Sequence, residues 1–150
     1  IDLVVRHAAR GAPGALRLDD AVRAALAELE PTARAIVQLT ALAAGGVAQR
    51  TVAHALALDG GTLERHLCVL CAASWIRIAS GALTGPIEPY HARIRAGVLA
   101  SLRDDEAHAL RHALAGALSR DRDPDHDAAP DPPPRTWLQL YPHQVSGPVR

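Results

Sequence analysis

The chain has 150 residues with 16 Arg and Lys against 16 Asp and Glu, a formal net charge of zero. That length suits one domain with tails, and the even charge argues against a dedicated nucleic-acid binder, which carries a basic excess on at least one face. Phe and Met are absent, Trp and Tyr number two each, and every cation is Arg, so the core has to be built from Leu, Ile, Val and Ala, which suits close-packed helices. In chain order, Ile1–Arg10 reads as the end of a helix, broken by Gly11-Ala12-Pro13-Gly14. Asp19 and Asp20 offer an N-cap, and Val22, Leu26 and Leu29 recur at i, i+4, i+7, which predicts a helix over 20–29. Pro31 opens a second helix lined by Ile36, Leu39 and Ala43, which Gly45-Gly46 ends. A third runs from about Ala48 to Leu56.

Asp59-Gly60-Gly61 reads as a turn, after which Thr62 caps a fourth helix with Leu63, Leu67 and Leu70 inward. Trp75–Ala79 alternates and is β-branched, so it is a strand, and Pro86-Ile87-Glu88 is its return. Pro89 is expected at the first position of the next helix, in which Ile94, Val98 and Leu102 stack on one face. Asp104 caps a last helix with Ala107, Leu110, Leu114 and Ala117 inward. From Asp121 to Pro134 the chain holds five Pro and five Asp, too little apolar surface to repay ordering.

The order helix, helix, helix, hairpin is that of a winged helix, a helix-turn-helix variant in which the helix before the hairpin is the reading helix. The expected fold class is therefore mainly α: a winged helix with a short β-hairpin, followed by two helices. The expected divisions are 1–14, the end of a preceding helix and linker; 15–89, the winged helix; 90–120, a two-helix extension; and 121–150, a Pro- and Asp-rich disordered tail. No apolar run reaches transmembrane length and no signal-peptide pattern opens the chain, so a cytoplasmic location is expected. The start at Ile1 and the absence of Met lead us to expect a piece of a longer protein.

Two runs carry a resemblance. Tyr90-His91-Ala92-Arg93-Ile94-Arg95-Ala96 follows the hairpin, and Leu110-Arg111-His112-Ala113-Leu114-Ala115 lies on the last helix. From Leu3 to Leu118 the chain resembles the winged-helix segment of bacterial STAND-type, AAA-related signalling ATPases, often fused to serine/threonine protein kinases and followed by tetratricopeptide-like repeats. Ala92 and Ala96 stand where that family usually carries Asp and Glu. The resemblance implies a non-catalytic regulatory and interaction module that relays nucleotide state from an upstream NTPase domain to downstream helical repeats. ATP and Mg would be bound upstream only, because this chain has no G-x-x-x-x-G-K-[ST] run and no Lys.

Several side-chain groups have residue types that can carry chemistry. Cys68 and Cys71 with His66 suggest zinc, but the pair falls inside a helix and lacks a second pair of ligands. His108 and His112 have metal-pair spacing without the Glu of the zincin motif. Neither set predicts a metal site, no nucleophile context such as G-x-S-x-G occurs, and we expect no enzyme activity and no cofactor in this chain. Tyr90, His91, Arg93 and Arg95 are the expected inter-domain contact: an amphipathic ring beside guanidinium groups suited to carboxylate or phosphate. The second reading is a DNA-binding winged-helix transcriptional regulator. Its contacts would be Arg65 and His66 on the reading helix and Arg77 on the wing, a small provision of cations beside Glu64.

Overall fold

The computed structural model describes residues 18–43, 45–79 and 84–122. Among them are six helices and a two-stranded antiparallel sheet. In order these are α1 (Leu18–Ala27), α2 (Pro31–Leu42), α3 (Gln49–Leu56), α4 (Gly60–Ala72), β1 (Ile76–Ile78), β2 (Ile87–Pro89), α5 (Ala92–Ser101) and α6 (Asp104–Asp121). The mainly helical class is as expected. The expected leading helix end, the Gly11–Gly14 break, the hairpin residues 80–83 and the tail beyond Arg122 lie outside the described residues.

α2, α4 and α5 begin where a side chain takes up amide groups that the first turn leaves free. Glu30 caps α2 by accepting from the Thr32 and Ala33 amides at 3.2 and 3.3 Å, with Pro31 at a first-turn position. At the other side of this turn Arg34 reaches back to the end of α1. Its Nε donates to Leu26 O at 3.0 Å, and its Nη2 to Ala27 O and Leu29 O at 2.7 and 3.0 Å. One guanidinium thus satisfies three carbonyls and fixes the angle between α1 and α2.

Four starts differ from the sequence expectation. α1 begins at Leu18, so Asp19 and Asp20 lie within the helix and not at its cap, and it ends at Ala27, short of Leu29. α4 begins at Gly60, capped by Asp59, whose carboxylate accepts from Thr62 N at 2.9 Å and Thr62 Oγ1 at 2.7 Å. Thr62 is therefore the partner of the cap, and the two glycines belong to the first turn. Pro89 ends β2, and His91 caps α5; the fixed φ of proline suits an extended edge as well as a first helical turn. α6 is preceded by Arg103, whose amide donates to Glu106 Oε2 at 3.3 Å, and Asp104 is already helical. α6 also continues through Asp121, which the sequence reading assigned to the tail.

The strands pair Ile76 with Pro89, Arg77 with Glu88 and Ile78 with Ile87. Val47, between α2 and α3, adds an isolated bridge on the other edge of β2: its N–H donates to Ile87 O at 2.9 Å and its carbonyl accepts from Ile87 N at 2.7 Å. β2 is therefore held on both sides at Ile87, which is wholly buried. The core runs through Ile36 and Leu39 of α2, Val52 of α3, Leu67 and Leu70 of α4, Trp75, Ile76, Ile87 and Val98 of α5. Burying each of the larger aliphatic side chains contributes about 1.5–3 kcal/mol before entropy. α5 packs on α1 and α2, and α6 packs on α3 and α2. The two C-terminal helices thus cover the three N-terminal ones.

Candidate functional site

The corner where β2 turns into α5 carries the expected contact residues. Its backbone is held by Tyr90 N donating to Trp75 O at 3.0 Å, which continues the strand ladder for one residue. The Tyr90 ring stays outside, 43% exposed. His91 turns its Nδ1 onto the Arg93 amide, accepting its hydrogen bond at 3.3 Å, and so caps the helix. The Arg93 side chain is exposed and makes no hydrogen bond or ion pair among the described residues. Arg95 is different. It is half-buried, and its Nε donates to Ala41 O at 2.9 Å, so it ties α5 to the end of α2. The expected outward group thus divides into Tyr90, His91 and Arg93 on the surface and Arg95 holding two helices together.

Beside this corner lies a cleft of about 180 Å³, lined by Ala43, Gly45, Glu88, Pro89, Ala92 and Arg95. Its volume is below the ~300 Å³ at which drug-sized ligand pockets begin, and its polar groups are one carboxylate and one guanidinium. That donor set does not fit a nucleoside triphosphate, and no nucleotide step is derived for this chain.

On the opposite candidate surface the cations are engaged. Arg77 donates through Nε and Nη2 to Glu88 Oε2 at 3.2 and 2.9 Å across the strands. His66 Nε2 lies 3.6 Å from Glu30 Oε2. Arg65 Nη2 donates to Thr62 Oγ1 at 3.0 Å. The middle of the outward face of α4 is apolar, with Val69 62% exposed. A phosphate backbone approaching here would meet Arg77 already facing a carboxylate.

The thiols are not poised for chemistry. Burial pushes the Cys71 thiol up to about 11, with Cys68 nearby adding to it, and burial followed by the Glu64 charge raises Cys68. Both stay protonated at neutral pH, the unreactive form. His108 and His112 are both exposed on α6. Among the described residues no group of three or more His, Cys, Asp or Glu side chains is placed to hold a metal ion, and no helix is long and apolar enough to cross a membrane.

A further constellation escaped the sequence reading. Asp121, at the end of α6, accepts a hydrogen bond from Thr51 Oγ1 of α3 and lies 3.2 Å from His54 Nδ1. Arg50 Nε is 3.6 Å away. The threonine hydroxyl is bonded to the carboxylate and not to the imidazole, so this is no nucleophile–base–orienter relay. The signal was weak in sequence because Thr51 and Asp121 are 70 positions apart and Asp121 opens an Asp-rich run.

No family model, curated protein or solved structure matches this chain. The site is therefore read from its own geometry.

Proposed function

We propose that this chain is a winged-helix interaction module, without catalytic activity of its own, of a bacterial STAND-type signalling ATPase. In this reading α2, α3 and α4 form the helical part, β1 and β2 form the wing, and the Val47 bridge is the remnant of the third strand that such a wing uses. The Tyr90–Arg95 run, which carries the resemblance to the family, lies where the wing joins α5. Tyr90, His91 and Arg93 then dock on an upstream NTPase domain, and Arg95 makes α5 move with α2. A change of docking with nucleotide state would pass through α5 towards downstream repeats.

The observation that carries this reading over DNA binding is the pairing of Arg77 with Glu88. Of the two arginines proposed to contact DNA, that leaves Arg65, bonded to the Thr62 hydroxyl, without a carboxylate partner, which is little charge to release counterions from a duplex. Two measurements test it. Duplex DNA should bind weakly, with an affinity almost independent of salt; a steep fall in affinity with salt would favour a DNA-binding regulator. Added in trans to the P-loop domain of the same gene product, the chain should bind the ATP and ADP states with affinities differing by about tenfold, and Tyr90→Ala with Arg93→Ala should weaken the tighter complex. Binding indifferent to nucleotide would remove the relay.

A further inference from the structure

Two opposite charges line the cleft beside the β2–α5 corner, and they do not pair with each other. Glu88 is engaged through Oε2 alone, which accepts from Arg77 Nε and Nη2 at 3.2 and 2.9 Å across the strands. Its Oε1 accepts no hydrogen bond among the described residues. That oxygen is turned towards the α2–α3 connection, where a Cβ built on Gly46 would lie 3.3 Å from it. Arg95 is engaged through Nε alone, which donates to Ala41 O at 2.9 Å. Neither of its Nη groups has a hydrogen bond or ion pair among the described residues. Each half-buried side chain is thus held through one part of its charged group, and the other part is left open to a ligand.

The remaining lining residues, Ala43, Gly45, Pro89 and Ala92, bring no polar side-chain atom. At about 180 Å³ the cleft has room for a small molecule and not for a nucleotide. The two Nη groups of a guanidinium suit the two oxygens of a carboxylate. A free carboxylate oxygen accepts from an ammonium group. A small α-amino acid carries both partners on one carbon and is a zwitterion at neutral pH.

We infer that Glu88 and Arg95 form a binding site for a small free α-amino acid, whose carboxylate accepts from the Arg95 Nη groups and whose ammonium donates to Glu88 Oε1. A lone anion would bring its charge beside the Glu88 carboxylate, and a lone cation would bring its charge beside the guanidinium. The zwitterion is therefore preferred over either half. Glu88 belongs to β2 and Arg95 to α5, so the bound molecule ties the strand pair to the helix. The site is independent of what Tyr90, His91 and Arg93 dock on.

The experiment uses the whole chain. Alanine, propionate and ethylammonium are titrated separately at neutral pH and constant ionic strength, and the amide shifts of Gly45, Glu88, Ala92 and Arg95 are followed. Alanine should move these amides to saturation, with propionate and ethylammonium each binding about tenfold more weakly or not at all. Equal affinity for alanine and propionate would make the cleft an anion site and overturn the inference. So would the absence of saturable shifts with alanine up to about 0.1 M. In Glu88→Gln the shape is kept and the ammonium loses its charged partner, so the preference for alanine over propionate should vanish. A preference that survives in the folded variant would also overturn the inference. If Glu88→Gln does not fold, the comparison of the three ligands on native protein decides by itself.

Discussion

At Gly97 two opposing effects decide what one methyl group would do. Gly97 is buried within α5, where replacing glycine with alanine ordinarily gains about 1 kcal/mol of helix propensity. A Cβ there would lie 2.9 Å from Val22 Cγ1 and 3.0 Å from Val22 Cβ. Val22 is itself buried in α1 and its β-branched side chain has one preferred rotamer in a helix. The clash therefore cannot be relieved by rotating a flexible end, and overpacking of this kind costs about 1–3 kcal/mol. The steric term wins: Gly97→Ala should destabilise the fold by about 1 kcal/mol, read as a lower urea midpoint at unchanged slope. In a Val22→Ala background, which removes both γ-carbons and keeps the Cβ at 3.0 Å, the cost of the same substitution should shrink. A cost that does not shrink when the valine γ-carbons are gone would place it somewhere other than the Cγ1 contact.

Among the elements, the helices announce themselves through their apolar stripes, and their ends do so less well. Val22 and Leu26, the Leu63–Leu67–Leu70 series and the Ala107–Ala117 face all turn inward in the structure, while Leu29, the third member of the first stripe, lies past the end of α1 and is partly buried, because burial periodicity is a property of the helix and stops where it ends. An end is decided by one side chain. Gly60-Gly61 reads as a turn on composition, yet Asp59 overrides it by bonding both the amide and the hydroxyl of Thr62. Val47 was invisible because a single bridging residue has no alternation to display. Of the candidate contact residues, the positions were legible but not the division between them. That Arg95 turns to the Ala41 carbonyl while Arg93 stays outside depends on how close α5 lies to α2, which sequence spacing does not encode.

The same caps give the acid limb of stability its shape. The Thr32 amide holds the Glu30 carboxyl below its usual range, the Thr62 hydroxyl does so for Asp59, and the Arg103 guanidinium for Glu106. Each folded value lies below the unfolded one. The stability contributed is present above the ordinary carboxylate range, about pH 4, and is lost as pH falls through the lower folded values. Glu64 works in the opposite sense: burial raises its carboxyl, so protonation at low pH favours the folded form there. Three lowered groups outweigh one raised group, and the thermal midpoint should fall as pH drops from about 5 towards 3. Asp59→Asn is the discriminating variant, since Asn caps as well as Asp but does not titrate. It should change the midpoint little at pH 7 and make the acid limb shallower. An unchanged limb would show that the α4 cap does not titrate with folding.

At the scale of the whole molecule, the described core is one continuous cluster from Val22 of α1 to Val98 of α5, with Leu110 and Leu114 of α6 packed against it. Ile87 pairs with Ile78 of β1 on one side and with Val47 on the other. Trp75 sits in this cluster, 1% exposed, and its indole Nε1 has no hydrogen-bond partner, which costs about 1–3 kcal/mol and leaves the ring in apolar surroundings. A core so connected should be lost in one step. In a Trp137→Phe background, which leaves Trp75 as the sole tryptophan, its fluorescence should be blue-shifted when folded. Its red shift in urea should follow the loss of helical circular dichroism with the same midpoint and slope. If α5 and α6 instead formed a separate layer, dichroism would fall in two stages and Trp75 would follow only one. That result would also undermine the relay from the wing to the C-terminal helices, because a docking change at Tyr90 can reach α5 only if the helix and the wing share a core.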